Sequence, residues 1–449
     1  MKKGIFAKIA LIATLAAAIS IVPAFSGCIG LNGRDGVNGK DLTIYDIWQE
    51  TKERTGNPDL SFEEFLRDYL SYNSEQLEQS TSLTAAINRS LLSGVSIIAT
   101  FDEYVRSGFM GSSFSVVETS YYGSGVIMDV DKSSGDMTVL TNCHVVYSAD
   151  AKRNNAGNIE ISTANGFAKS VQLWLYGSEY EDRNAIEATV IAASKSYDIA
   201  VLQVSANDLV KNSYALAAQW CNFEECYVGE QVYTVGNADG KKLSASVGYI
   251  SKDSEEITVN MGSDSSPEAF EYRVLRTDTA INGGNSGGGL FNKYGQLVGI
   301  VNAKTISEDI DNMGYALAPA TTRRVVQRMI EDADGTYGID TVSAGFSYAS
   351  TDSYTTGLNI DGYAEIKEVV TVTRGQSFGK FDAGDKIVHV VVKRGEKVLE
   401  SMPLMRVHNL TDALLSVKAG DTVIYTVERG GENVAITVTY TSGDYIRKM

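Results

Sequence analysis

From about Ser93 onward the chain alternates short apolar runs, rich in Val, Ile, Thr and Tyr, with clusters of Gly, Asn, Asp and Ser. Apolar runs of strand length bounded by turn residues predict an all-β sandwich or barrel. Val171-Gln172-Leu173-Trp174-Leu175, Glu187-Ala188-Thr189-Val190-Ile191, Ile199-Ala200-Val201-Leu202-Gln203-Val204 and Leu297-Val298-Gly299-Ile300-Val301 are the clearest strands. After Asp332-Ala333-Asp334-Gly335 the pattern restarts, which sets a second strand-rich domain at 340–445.

Upstream the pattern is different. Residues 1–27 have a basic start, Met1-Lys2-Lys3, and a mostly apolar run from Ile9 to Phe25 ending in Ser26-Gly27, the layout of a secretory signal peptide. The same run is nearly long enough to span a bilayer, so an uncleaved anchor is the rival reading. Glycines at 30, 33, 36 and 39 make Gly-X-Y triplets without proline, too few to wind a triple helix and better read as a flexible spacer. Ser61-Phe62-Glu63-Glu64 has the form of a capping box, opening a short helix with Phe62, Phe65, Leu66 and Tyr69 on one side. Residues 28–84 thus form a spacer and helical segment that holds the rest off a membrane or docks a partner.

Composition narrows the function classes. At 449 residues the chain suits two or three domains, and 43% hydrophobic with 21% charged residues is ordinary for a soluble globular protein. The formal charge of −17, more acidic still once Lys2, Lys3 and Lys8 leave with the leader, repels nucleic acid. Four cysteines, at 28, 143, 221 and 226, are too few and scattered for a disulfide scaffold. Cys221 and Cys226 either close a small loop or stay as a buried thiol pair. The only histidines, at 144, 389 and 408, have no ligand spacing, which argues against a His-based metal site. No cofactor is called for. Phe25-Ser26-Gly27-Cys28 resembles a bacterial lipobox, with Phe25 where leucine is usual. The resemblance makes Cys28 the lipid attachment point of an exported lipoprotein at the outer face of the bacterial cell membrane; otherwise Cys28 is a chance cysteine near the cleavage site.

Three segments carry chemistry, in the order His, Asp, Ser. Leu140-Thr141-Asn142-Cys143-His144-Val145-Val146 puts His144 at the end of an apolar strand, where a rigid element can aim an imidazole. Asp198, in Ser196-Tyr197-Asp198-Ile199-Ala200-Val201-Leu202, stands at the entrance to a strand that reads as buried on both faces, where a carboxylate needs a partner. Asn282-Gly283-Gly284-Asn285-Ser286-Gly287-Gly288-Gly289-Leu290 crowds glycines around one serine. Residues without side chains let a substrate approach, and a tight turn can aim successive backbone N–H groups at a carbonyl oxygen. Singly, each segment has a bland reading: a structural histidine, a turn cap, a flexible loop. Together they supply a nucleophile, a base to take its proton and a carboxylate to fix the base's tautomer.

These segments resemble the trypsin-like fold in its bacterial HtrA form, a family of exported, ATP-independent serine endopeptidases. The similarity covers roughly residues 85 to 335. It runs through Gly123-Ser124-Gly125-Val126-Ile127, Thr141-Asn142-Cys143-His144-Val145, Asp198-Ile199-Ala200-Val201-Leu202, Val235-Gly236-Asn237-Ala238, Gly248-Tyr249-Ile250-Ser251 and Thr277-Asp278-Thr279-Ala280-Ile281-Asn282, then Gly284-Asn285-Ser286-Gly287-Gly288. Met313-Gly314-Tyr315-Ala316-Leu317-Ala318-Pro319 and a helix over Thr321 to Ile330 resemble the domain's end. The resemblance implies a mainly β protein: two six-stranded antiparallel β-barrels of the trypsin-like fold with the triad His144, Asp198 and Ser286 between them. It further implies an oxyanion hole from the N–H groups of Gly284 and Ser286, with Asn285 assisting. Ala280, Val301, Asn302 and Ala303 would line a pocket for a small or medium apolar side chain preceding the cut. Relatives of this family are commonly trimeric, which implies a homotrimer.

Departures concern control. Gly283 and Gly289 stand where the family usually has proline, and Ala238 replaces another. Asn285 stands where digestive zymogens carry the aspartate that receives a freshly cut amino terminus, so loop ordering is the more natural switch. In the tail, Gly384-Asp385-Lys386-Ile387-Val388, Leu410-Thr411-Asp412-Ala413-Leu414-Leu415 and Gly420 to Gly431 resemble the second half of a small PDZ-like β/α domain, with Gly357-Leu358-Asn359-Ile360 as candidate carboxylate-binding loop. PDZ domains add a peptide strand to a sheet edge and receive its terminal carboxylate, so unfolded polypeptides or peptide C-termini are the expected partners. A purely structural β-domain is the alternative for the tail. For the whole chain the alternative is a peptide-binding or chaperone-like protein with a weakly active protease fold.

Overall fold

The computed structural model describes residue 52 and residues 82–107, 113–152, 165–178, 180–221, 226–261, 268–304, 313–331, 338–359, 362–375 and 379–448. The leader, Cys28, the glycine spacer and the helix expected at Ser61 lie outside the described residues. Helix α1 (Leu83–Leu91) opens at Ser82, whose side chain accepts from the Ala85 N–H, and buries Ala86 and Leu91. It leads into β1 (Gly94–Ser107), β2 (Ser113–Asp131) and β3 (Asp136–Thr141). A one-turn helix α2 (Cys143–Val146) and a short pair, β4 (Tyr147–Lys152) with β5 (Asn165–Phe167), precede β6 (Ser170–Leu175), β7 (Ile186–Ser194) and β8 (Ile199–Val204).

The six longer strands close a barrel in the order β1-β2-β3-β8-β7-β6. Strand β8 is the element whose apolar run reads as buried on both faces, and all but Gln203 of its residues are buried. Glycines in β2 set a close approach. A Cβ at Gly123 would stand 2.4 Å from Val145 Cγ1, so only glycine lets β2 pack against the turn that bears His144.

After α3 (Asp208–Lys211), the strands β9 (Gln219–Trp220), β10 (Gln231–Gly236), β11 (Ser244–Asn260), β12 (Ala269–Thr277), β13 (Gly289–Asn292), β14 (Gln296–Lys304) and β15 (Gly314–Leu317) form the order β13-β10-β11-β12-β15-β14-β9. Pairing of β13 with β14 closes six of these into a second ring, with β9 added outside on β14. The mainly β, double-barrel reading of the sequence is thus met. Its core includes Ile250, Leu275, Leu290, Val298 and Val301, together with Cys221 and Cys226, which are buried thiols and not a disulfide.

Helix α4 (Pro319–Glu331) leads to the C-terminal region: β16 (Ile339–Val342), β17 (Phe346–Leu358), β18 (Ala364–Gly375), β19 (Lys386–Arg394), β20 (Lys397–Pro403), α5 (Val407–Leu415), β21 (Thr422–Arg429), β22 (Glu432–Thr439) and β23 (Tyr445–Lys448). Its sheet runs β17-β18-β19-β21-β22, so β17 is an edge, and it has its own core around Val390, Leu410, Tyr425 and Tyr440. The region is fastened to the second barrel. Asp412 on α5, 3% exposed, accepts from Arg273 Nη1 at 2.7 Å and Thr321 Oγ1 at 2.6 Å, and Arg406 Nη1 meets Asp253 at 3.0 Å. Stripping one partner from such a buried pair typically costs about 3–5 kcal/mol, so this junction is not a loose tether.

The candidate carboxylate loop is placed elsewhere than the sequence suggests. Gly357 and Leu358 end β17 at the tip of the β17–β18 hairpin, where Leu358 is 72% exposed and Asn359 Nδ2 donates to Tyr227 OH at 3.3 Å; Ile360 lies outside the described residues. The edge approaches α5 at its other end, where Tyr348 OH meets Thr411 Oγ1 at 2.9 Å. A loop receiving a carboxylate beside α5 would have to lie near Phe346, because β17 carries Gly357 away from the helix.

Candidate active site

His144 stands not on the end of a strand but on α2, the single helical turn just past β3. The difference follows from Asn142, which leaves the strand and donates Nδ2 to the Asp198 backbone oxygen at 2.9 Å. That bond ties the start of the histidine turn to the entrance of β8. Asp198 is 1% exposed and sits at φ +49°, a left-handed conformation that aspartate tolerates better than most residues. Its N–H donates to Lys195 O at 3.2 Å, closing a four-residue turn.

The Asp198 carboxylate has three donors. The His144 backbone N–H reaches Oδ1 at 2.9 Å, His144 Nδ1 reaches Oδ2 at 2.7 Å, and Asn302 Nδ2 also donates to Oδ2. Burying a carboxylate costs several kcal/mol. Three hydrogen bonds to a charged group, at about 1.5–3 kcal/mol each, offset that cost. Nδ1 is therefore the protonated ring nitrogen, which leaves Nε2 of the half-exposed imidazole free to accept a proton.

Partial burial works to lower the His144 pKa, but the charge of Asp198 and the hydrogen bond to it outweigh this, and the net shift is upward from 6.5. A base must be neutral to act. Any reaction that uses His144 as its base should therefore lose rate as pH falls, with the midpoint of the acid limb of kcat/KM above 6.5. A pH–rate profile with a peptide substrate checks this; a midpoint at or below 6.5 would contradict the Asp198–His144 coupling. The neighbouring Cys143 is no rival nucleophile. Burial first, and then the Asp198 charge, push its thiol well above its ordinary range.

The serine loop is pinned by Ser124 of β2. Ser124 Oγ donates to Gly284 O at 2.6 Å and accepts from Asn237 N at 2.7 Å, while its backbone N–H donates to Ser286 O at 2.8 Å. Its carbonyl accepts from Thr141 Oγ1 at 2.7 Å. Gly287, at φ +84°, passes so close that a Cβ would lie 2.1 Å from Thr141 Oγ1 and 2.2 Å from Ser124 O. Gly284, at φ +89°, would meet Asn237 O at 2.2 Å. Both positions exclude a side chain twice over, by backbone conformation and by space.

The structure brings some of the sequence-expected site residues together and not others. His144 and Asp198 are joined directly. Ser286 is in the adjoining loop, but its Oγ donates to Asn302 O at 3.0 Å and makes no hydrogen bond to His144. The N–H groups of Gly284 and Ser286 make no bond within the described residues, whereas the Asn285 N–H is taken by Asn282 O at 3.1 Å and its side chain lies buried against Gly236. Asn285 thus holds the loop's turn and has no backbone donor to lend.

The expected pocket residues differ in their surroundings. Ala280 is exposed, but Val301 is fully buried in the second barrel's core and Asn302 points at Asp198. A β-bulge between Val301 and Ala303 interrupts the register with β15, so side-chain facing cannot be read by simple alternation there. The roles of Asn302, Asn142 and Ser124 escape sequence reasoning. Asn142 and Ser124 lie inside the motifs quoted above, which flag their positions though not their bonds.

The chain is similar to known proteases. A family model described as a trypsin-like peptidase domain matches residues 123–300. The serine protease Do-like HtrA of Lactococcus lactis subsp. cremoris (strain MG1363) is 26% identical over 415 residues, covering 87% of this chain and 89% of the relative. The serine endoprotease DegS of Haemophilus influenzae is 29% identical over 237 residues, covering 52% of this chain and 57% of that protein. Among solved structures, an HtrA-type protease AlgW with tripeptide aligns with a TM-score of 0.49 at 20% identity, over 80% of this chain and 97% of the other.

Proposed function

We propose that this chain, which belongs to the HtrA family of trypsin-like serine proteases, is an exported serine endopeptidase that cleaves unfolded or damaged polypeptides through His144, Asp198 and Ser286. The observation that carries this reading is the 2.7 Å contact between His144 Nδ1 and Asp198, beside a glycine-rich loop with two uncommitted N–H groups. For attack, Ser286 Oγ leaves Asn302 O and gives its proton to His144 Nε2 as it bonds to the scissile carbonyl carbon. The Gly284 and Ser286 N–H groups receive the developing oxyanion. His144 then passes the proton to the leaving amine, and water enters by the reverse steps to release the acyl group. No metal or cofactor enters this scheme.

The pocket for the residue before the cut draws on exposed Ala280 and the backbone of 301–303, with small or medium apolar side chains preferred. The C-terminal domain is PDZ-like in this reading and takes a peptide along the β17 edge beside α5. Cys28 carries the lipid that tethers the enzyme outside the membrane, and the assembly is a homotrimer.

A fluorophosphonate probe tests the core of the proposal. Mass spectrometry should find it on the peptide bearing Ser286, and labelling that survives Ser286→Ala would remove that serine from the role. One observation favours a second reading, a peptide-binding module with a weakly active protease fold: the Ser286 hydroxyl rests on Asn302 O instead of His144. Failure to cut unfolded casein, with peptide still retained by the tail, would decide for that module.

A further inference from the structure

Behind the carboxylate–imidazole pair lies a second set of polar groups that the scheme above does not use. Lys195 begins the turn that ends at Asp198, and its carbonyl accepts two hydrogen bonds. One comes from the Asp198 N–H at 3.2 Å, the other from the Tyr272 hydroxyl at 2.7 Å. Tyr272 is on β12, in the second barrel, and is 3% exposed. The Lys195 side chain, 10% exposed, runs the same way: Nζ meets Glu268 Oε1 at 2.8 Å and Oε2 at 2.7 Å and lies 5.3 Å from the centre of the Tyr147 ring. Glu268 immediately precedes β12. One short stretch of the second barrel therefore grips both the backbone and the side chain of the residue that starts the Asp198 turn.

The turn has reason to need gripping. Asp198 is held in a left-handed conformation, a sparsely populated state that costs on the order of 1–3 kcal/mol and persists only where its surroundings over-determine it. A backbone N–H donating at 3.2 Å is a long bond to carry that alone. The stronger hydrogen bond at the same carbonyl is the one donated by the Tyr272 hydroxyl, which lies 2.7 Å from it and 2.9 Å from Met261 Sδ.

Taking the triad above as given, we infer that Tyr272 and the Lys195–Glu268 pair are positioning residues, through which β12 of the second barrel sets how Asp198 of the first is presented to His144. Tyr272→Phe keeps the ring and its packing and removes only the hydroxyl. The Lys195 carbonyl then has one donor left, the turn relaxes and Asp198 moves relative to Nδ1. Misplacement of a reacting or orienting group by about 1 Å can cost on the order of a hundredfold. For a turn that is loosened and not lost, the expected fall is about tenfold in kcat with KM within about twofold. Because Asp198 is what raises the His144 pKa, the acid limb of the pH profile moves down with it. The titratable groups facing the pair are Cys143 and Tyr147 from its own side, Lys195 in the turn, and Glu268 and Tyr272 from the second barrel. None of these is removed as a charge in Tyr272→Phe, so the movement reports geometry.

The experiment compares full-length wild type, Tyr272→Phe, Lys195→Met, Lys195→Arg and Ser286→Ala by steady-state kinetics on a fluorogenic peptide across pH. Support is a kcat loss with a lowered acid limb in Tyr272→Phe, a similar loss in Lys195→Met, and recovery in Lys195→Arg, which can still pair with Glu268. Unchanged kcat and an unmoved acid limb in Tyr272→Phe would overturn the inference. If that variant does not fold, the lysine pair decides: a neutral Lys195→Met, or no recovery with arginine, overturns it equally. Ser286→Ala separates the two levels, since activity that survives there defeats the triad itself, whereas an inactive Ser286→Ala beside a wild-type-like Tyr272→Phe defeats only the positioning role.

Discussion

Ser286→Ala should lower turnover about a millionfold while leaving the fold intact. The size follows from how a triad works: once the nucleophile is gone, the histidine and carboxylate have no proton to move, so the loss approaches that of removing all three. The residual rate over water, about 10³–10⁴-fold, comes from the two N–H donors and from binding. The fold is spared because the hydroxyl has one partner, Asn302 O at 3.0 Å, in a loop pinned independently through Ser124. Losing one such bond costs about 0.5–1.5 kcal/mol. Peptide turnover and a thermal melt on the same preparation check both halves. A variant that keeps a hundredth of wild-type kcat would mean that another group attacks.

Asp198→Asn should reduce kcat about ten-thousandfold, again with little loss of structure. Asparagine is close in size and shares aspartate's tolerance of the left-handed conformation that this position requires. The chemistry does not transfer. The carboxylate accepts from the His144 backbone N–H, from Nδ1 and from Asn302 Nδ2, and an amide has one oxygen for those three donors. Turned with its NH₂ toward the ring, it favours the tautomer that carries the proton on Nε2, and His144 is then a poor base. It also withdraws the charge that raises the His144 pKa, so whatever activity remains should have its acid limb shifted to lower pH. Retention of more than about a tenth of kcat would show that the carboxylate is structural only, since tautomer control alone is worth about 10⁴.

What could be read from the chain beforehand divides along a physical line. Strand β8 covers the same residues as the apolar run Ile199 to Val204, because a segment buried on both faces leaves no choice of period. Helix α4 extends the expected Thr321 to Ile330 stretch by one residue or two at each end. The histidine, aspartate and serine segments stand out in the sequence because each combines a candidate reactive residue with the local neighbourhood such chemistry needs. The facing of Asn302 was not visible, since a one-residue bulge beside it breaks the alternation on which facing is judged. Nor was the contact of Tyr272 with Lys195, made across 77 positions of sequence. The engagement of the Asn285 N–H is equally hidden in the sequence, because a backbone N–H in a glycine-rich loop is free or engaged according to which carbonyl the turn brings near, here Asn282 O. The Gly289 departure from proline does have a local reason: a Cβ there would stand 2.3 Å from the Phe291 ring.

The resting contact of Ser286 with Asn302 O bounds how quiet this enzyme can be by that means alone. A neutral hydrogen bond contributes about 0.5–1.5 kcal/mol net, which holds back the competent rotamer by about 2- to 13-fold. Side-chain rotation itself takes picoseconds to nanoseconds, so no delay on the timescale of turnover arises from it. Such a bias would slow self-digestion in a concentrated preparation by only that factor. Silence deeper than about tenfold would require the backbone of the serine loop to rearrange, and Gly284 and Gly287, wedged against Asn237 O and Thr141 Oγ1, mark where such a rearrangement would meet resistance.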